Sequence, residues 1–334
     1  MTLVEAISGD DTRAETLIAA APIRAPVPGC SAPGKLILFG EHAVVFGEPA
    51  LAIAVDLRAE VFTRPHTEWL ADGRDLSDPR YAYVRAAVER VRPPKPLWIE
   101  VRSQVPEGSG LGSSAAVTVA TLGSLHRMRG TFDAALIAND AFEVELAVQG
   151  RASPTDTTTA TAGGAILVLP EKSEGLLWSF ERGEQRWFLH HRILPPLRLV
   201  VGFTGVSAAT GPLVAKVREL AKTKPEARRR ISEIGQIALE GVRALQAKDL
   251  VRAGELMNAN HALLNQLLVG HPLLDKLVAA AAPTSYGAKL TGAGGGGSMV
   301  ALTDEPERTA KAIAAAGGRA FTVHAEPKGV VVIP

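Results

Sequence analysis

The chain has 334 residues, 46% of them hydrophobic, and 36 Lys+Arg against 35 Asp+Glu give a formal net charge of +1. That length and apolar share call for a globular protein of two packed lobes, and the balanced charge supplies no long-range field for nucleic acid or an anionic membrane. Cys30 is the only cysteine, which excludes an intramolecular disulfide and a cysteine-built zinc site and fits a reducing, cytoplasmic setting.

Residues 1–28 read as an appended arm, with a short helix around Asp11 to Ala21 that Pro22, Pro26 and Pro28 prevent from continuing. Acidic residues at 5, 10, 11 and 15 and the lack of a continuous apolar core set the arm apart from a signal peptide. No uninterrupted apolar run approaches membrane-spanning length. From Cys30 to about Pro65 the pattern is β-rich, and it carries Lys35 after a Pro-Gly turn and the polar pair Glu41-His42 between two apolar runs. A helix is expected over Asp78 to Val91 and a strand over Leu97 to Val105.

The next segment, Pro106 to Ala116, is a glycine-rich turn that runs into a helix over Ser113 to Arg129. Glycines at 108, 110 and 112 let the backbone approach an anion with positive φ, and the helix aims its unpaired N–H groups and positive dipole end at the same loop. Ser113 and Ser114 sit at the helix start, where a hydroxyl caps the helix or reaches a phosphate oxygen or a magnesium ion. A second helix, Phe132 to Gln149, carries Glu143 and Glu145 and leads to an aspartate turn at Asp156 and a strand over Gly164 to Leu169. Gly150 and Pro154 force a turn between Glu145 and Asp156, so both carboxylates can face one cleft; Glu143, two positions along the helix, points elsewhere. Glu171 to Arg192 reads as exposed hairpins.

A second lobe is expected from about Leu197, opening with the strand LRLVVGF. Helices over Pro212 to Lys222, Pro225 to Ala247, Leu250 to Leu268 and Pro272 to Ala281 follow. Five of the six residues from Gly292 to Gly297 are glycine, between strand-like YGAKLTG and GSMVALT, which leaves room for a ligand or another backbone. A helix over Pro306 to Ala316 and a β-rich end over Arg319 to Ile333 complete a ferredoxin-like pattern with extra helices. Gly292, Gly294 and Gly297 also satisfy GxGxxG, but the dinucleotide fingerprint requires a helix directly after the loop, and GSMVAL is strand-like. No GxxxxGK[ST] occurs.

Ser31–Val55, Pro106–Ala116 and Lys289–Leu302, in this order, resemble the small-metabolite kinase superfamily of galactose, homoserine, mevalonate and phosphomevalonate kinases. Within it, APGKLILFGEHAVVFG and Glu143 to Gly164 are similar to archaeal members of the branch that phosphorylates mevalonate. The resemblance implies an α+β, two-lobed fold: an N-terminal lobe over 29–196 like ribosomal protein S5 domain 2, and a ferredoxin-like lobe over 197–334. It implies ATP-dependent phosphorylation of the primary hydroxyl of mevalonate to 5-phosphomevalonate, with Mg2+, in isoprenoid biosynthesis; phosphomevalonate and sugar kinases are the alternatives. A catalytically silent member of the fold is disfavoured by the joint presence of Lys35, Glu145 and Asp156.

By the same resemblance, ATP lies against Pro106, Glu107, Gly108, Ser109, Gly110, Leu111, Gly112, Ser113, Ser114, Ala115 and Ala116. Ser114 and Glu145 hold the metal, and Asp156 takes the proton of the alcohol with Lys35 beside it. Glu41, His42 as a donor, Thr204, Gly292, Ala293 and Gly294 hold the substrate, with Thr210 a further polar contact, and a homodimer is common in the family. Phe203, Gly211 and Ser298 depart from its usual residues.

Overall fold

Two elements near the start set the frame of the cleft: β1 (Gly29–Phe39) and β2 (Ala50–Pro65) pair antiparallel, with Lys35 opposite Ala54. The computed structural model describes residues 29–150, 152–183, 185–207 and 210–334, so the expectations for the N-terminal arm lie outside the described residues. Every residue of β1 is buried because helices cover both of its faces. The short strands β3 (Leu70–Ala71) and β4 (Arg74–Asp75) precede α1 (Ala82–Val91) and β5 (Leu97–Ser103). Then come α2 (Ser113–Met128), α3 (Ala134–Gln149), α4 (Thr155–Ala162), β6 (Ala165–Leu169), and the hairpin of β7 (Leu176–Arg182) and β8 (Gln185–Arg192). These strands order as β4-β3-β5-β2-β6-β8-β7, with β1 also paired to β2.

α4 is a correction to the sequence reading, which expects a turn at Asp156. Five β-branched threonines lower intrinsic helix propensity, yet all five are buried. The helix satisfies two of their hydroxyls from within: Thr159 Oγ1 donates to Thr155 O and Thr161 Oγ1 to Thr157 O, each at 2.7 Å. Packing and internal hydrogen bonding override propensity here. The β7–β8 hairpin is likewise not wholly exposed, since Phe180, Trp187 and Leu189 are buried beside Phe142.

The second sheet is built from β9 (Arg198–Phe203), β10 (Gly287–Thr291), β11 (Ser298–Leu302) and β12 (Arg319–His324), antiparallel in the order β10-β11-β9-β12. Between β9 and β10 the chain forms α5 (Thr210–Thr223), α6 (Pro225–Gln246), α7 (Leu250–Gln266) and α8 (Pro272–Ala281), and α9 (Pro306–Ala315) joins β11 to β12. This is the split βαβ order of a ferredoxin-like sheet, enlarged by helices. α6 reaches over β1, where a Cβ at Gly241 would lie 2.4 Å from the Phe39 ring, so only glycine lets the helix come this close. The last strand, β13 (Val331–Ile333), leaves the second lobe and pairs with β1, Ile333 opposite Gly29. The chain end that the sequence groups with the second lobe therefore adds a strand to the first sheet. No helix among the described residues is long and apolar enough to cross a membrane.

Candidate active site

A cleft of about 620 Å³ lies where β1, α2, α3 and α4 meet α5 and the β10–β11 loop. Its floor is the glycine-rich loop. Gly108, Gly110 and Gly112 adopt φ of 66°, 78° and 76°, and Gly112 is the N-cap of α2 with no side chain capping the helix. The first N–H groups of α2 thus have no intrahelical partner. Gly108, Gly110, Gly112, Ser113, Ser114 and Ala115 line the cleft. Pro106, Glu107, Ser109, Leu111 and Ala116 do not: the first four build the loop and Ala116 is buried in α2. Ser109 Oγ donates to Pro106 O at 2.6 Å, and buried Leu111 accepts from Lys35 N at 2.8 Å, which ties the loop to β1. The Gly292–Gly297 run backs onto it: a Cβ at Gly292 would sit 3.3 Å from Gly110 O, and one at Gly297 3.2 Å from Ser109 O. Strand β11 follows that run directly, so it lacks the helix that a dinucleotide fingerprint needs.

Three charged groups converge above the loop. Lys35 Nζ is 3.0 Å from Asp156 Oδ2 and donates to Gly110 O at 3.1 Å. Asp156 occupies the first turn of α4, while Glu145 stands one turn before the C-terminus of α3, which is capped by Gly150 with φ 72°. Glu145 is buried, its Oε1 accepts from Gln149 Nε2 at 3.3 Å, and its Oε2 has no partner among the described residues. Burial, and then the negative charge of Asp156, push its carboxyl up to about 8. An unpartnered buried carboxylate oxygen facing a phosphate cradle fits a hard divalent cation, which also takes a hydroxyl such as Ser114 and nucleotide phosphate oxygens. Glu143 is turned away and pairs with Arg182.

The other end of the cleft is built by Glu41, His42 and the second glycine run. Glu41 is buried, and Lys289 Nζ donates to its Oε1; Oε2 has no partner among the described residues. His42 holds a left-handed φ of 62° and is buried, with Nε2 2.8 Å from Ala293 O. A carbonyl only accepts, so Nε2 carries the proton, and burial holds the ring pKa below its usual value, which keeps the ring neutral. Nδ1 is then an acceptor with no partner among the described residues. The sequence reading made His42 a donor; the bond to Ala293 reverses that. Thr204 is also displaced from its expected place: it does not line the cleft, and its Oγ1 donates to Gly297 O at 2.8 Å, fixing the glycine run to the end of β9. Thr210, Gly211, Gly292, Ala293 and Gly294 do line it. Phe203 and Ser298 are buried outside it, and Ser298 Oγ is unpartnered among the described residues.

Lys289 and Gln149 were not singled out in the sequence. The only signal for Lys289 was a lysine in an apolar strand pattern immediately before the glycine run.

Comparison with known proteins agrees with this geometry. The family described as GHMP kinases N terminal domain matches residues 82–164, and the one described as GHMP kinases C terminal matches 242–322. The mevalonate kinase of Thermococcus onnurineus is 36% identical over 338 residues, covering 90% of this chain and 96% of that protein. The mevalonate kinase of Archaeoglobus fulgidus is 38% identical over 281 residues, with 81% and 91% covered. Among solved structures, L. major mevalonate kinase in complex with R-mevalonate superposes with a TM-score of 0.76 at 26% identity, over 90% of this chain and 96% of that one. With its glycine loop, its paired Lys35 and Asp156 and relatives of this closeness, the chain belongs to the GHMP kinase family.

Proposed function

We propose that this chain transfers the γ-phosphoryl group of ATP to the primary hydroxyl of mevalonate, giving 5-phosphomevalonate and ADP, in isoprenoid biosynthesis. The observation that carries the chemistry is the Lys35–Asp156 pair, 3.0 Å apart above the glycine loop. An alcohol is a poor nucleophile at neutral pH, and an ionised aspartate in contact with it accepts its proton as the O–P bond forms. Asp156 has that role, and the Lys35 ammonium beside it stabilises charge on the reacting oxygen. The N-terminus of α2 and the glycine backbone hold the nucleotide phosphates. Glu145 Oε2 and the Ser114 hydroxyl are the protein ligands for Mg2+, which neutralises phosphate charge when bound.

Glu41, neutral His42 and the backbone of Gly292, Ala293 and Gly294 receive the hydroxy acid. A cytoplasmic homodimer is the setting that the single cysteine and the family resemblance support. A panel of small alcohols incubated with ATP and magnesium tests the assignment, with ADP release and product both measured. Mevalonate is expected to be turned over fastest; much faster turnover of galactose, homoserine or phosphomevalonate would overturn the substrate and leave the nucleotide site standing.

A further inference from the structure

Lys289 lies on β10 with its side chain wholly buried, and the phosphoryl-transfer chemistry above does not use it. Its Nζ donates to Glu41 Oε1 and, at 2.7 Å, to Leu290 O. Glu41 is 1% exposed and belongs to the cleft wall. A lysine and a glutamate taken out of water together demand a reason, because an apolar pair of similar volume is often as stable. The alternative to the ion pair is a neutral pair with the proton on Glu41, which turns an acceptor-only carboxylate into a group with an O–H donor.

Burial pushes the Glu41 carboxyl up, and the two ammonium groups it faces, Lys289 from β10 and Lys35 from β1, act against that and favour its carboxylate. Behind Lys289, His261 of α7 accepts from Leu290 N at Nδ1, 3.3 Å, and donates from Nε2 to Asp275 Oδ1 of α8, 3.0 Å, which is the neutral ring. His42, next to Glu41 in the chain, is neutral as well. Of the carboxylates on this side of the cleft, Asp275 is engaged by the His261 ring and Asp156 by Lys35.

We propose that Lys289 is a positioning residue for the phosphoryl acceptor: it fixes Glu41 as a carboxylate with Oε1 engaged, so that Oε2 accepts a hydrogen bond from the substrate hydroxyl that does not react. This rests on the kinase reading above. A substrate carboxylate cannot share that oxygen, so the same contact sets which end of a hydroxy acid faces Glu41.

The test compares Lys289→Met and the double variant Glu41→Gln/Lys289→Met with wild type, measuring kcat and both KM values from neutral to alkaline pH. Lys289→Met is expected to raise the acceptor KM by at least ~10-fold near neutral pH, the loss of one charge-assisted hydrogen bond, while the ATP KM stays within about 2-fold. As pH rises Glu41 loses its proton and the acceptor KM of Lys289→Met recovers. In the double variant it stays raised at every pH. The double variant carries no charge from this pair and is read alone if Lys289→Met does not fold. A wild-type acceptor KM in either variant, an equal rise in both KM values, or a Lys289→Met defect that ignores pH would each overturn the proposal. If wild type itself prefers another alcohol, the comparison is run with that alcohol, and only the substrate assignment is lost.

Discussion

Replacing Asp156 by Asn keeps size and one acceptor oxygen but removes the base, so turnover is expected to fall by at least ~10²-fold. The structure adds a stability signature. At 3.0 Å, the gross attraction between Lys35 and Asp156 is about 5 kcal/mol at an effective dielectric of about 20. Lys35 is 4% exposed at its side chain and Asp156 29%, so solvent screens one partner only in part. Breaking a buried pair from one side costs ~3–5 kcal/mol; with Asp156 partly open, about 2–3 kcal/mol is expected for either Asp156→Asn or Lys35→Met. The double variant leaves neither charge stranded and is expected to be more stable than the sum of the two losses. Its turnover is likewise expected to be little worse than that of the poorer single variant, because both residues act on one proton and one oxygen. Denaturant unfolding and single-turnover phosphoryl transfer on the four proteins give both cycles. Near-wild-type turnover by Asp156→Asn would refute its role, and additive losses in both cycles would place Lys35 on the nucleotide phosphates instead.

Glu145→Gln is expected to raise the magnesium concentration needed for half-maximal turnover, since a neutral amide is a poorer ligand for a hard cation; a magnesium titration at saturating ATP checks it. The raised carboxyl of Glu145 also predicts a pH trend. Its folded pKa lies above the unfolded value, so in the metal-free protein this group costs nothing at low pH and destabilises progressively as pH rises from the ordinary carboxyl value of 4.5 toward about 8. The gain in Tm on adding Mg2+ with a non-hydrolysable ATP analogue is therefore expected to grow with pH over that window, and a flat gain would contradict the metal assignment. Gly112→Ala places a Cβ 2.8 Å from Lys35 Cγ at a φ of 76°, so it is expected to depress turnover as well as ATP affinity, measured by calorimetry and ADP release. Gly110→Ala meets only Thr291 O at 3.2 Å and is expected to act mainly on ATP binding.

Much of the site was legible because its chemistry is local in sequence. Lys35, Glu145 and Asp156 stand in short motifs beside turns that glycine and proline announce, and the 108–112 glycines mark a loop whose φ values only glycine adopts cheaply. What escaped depends on distant partners. The segment of α4 reads as a turn because its helix is secured by burial and by i−4 hydroxyl bonds that propensity does not report. The proton on His42 is fixed by Ala293, 251 residues away, and the fate of Glu41 by Lys289, 248 residues away. Thr204 looked like a ligand contact in its motif, yet its hydroxyl is used to hold Gly297. The return of β13 to β1 had no local signal, since three strand residues fit either sheet.

The central claim is the identity of the bond formed. Incubation with ATP, magnesium and mevalonate, followed by phosphorus NMR of the product, reads it directly: the account predicts one ADP per new phosphate monoester, with the phosphorus coupled to the two protons of the C5 methylene. A phosphate on the tertiary hydroxyl, a phosphoanhydride on the carboxylate, or ADP release without a phosphorylated acceptor would contradict it.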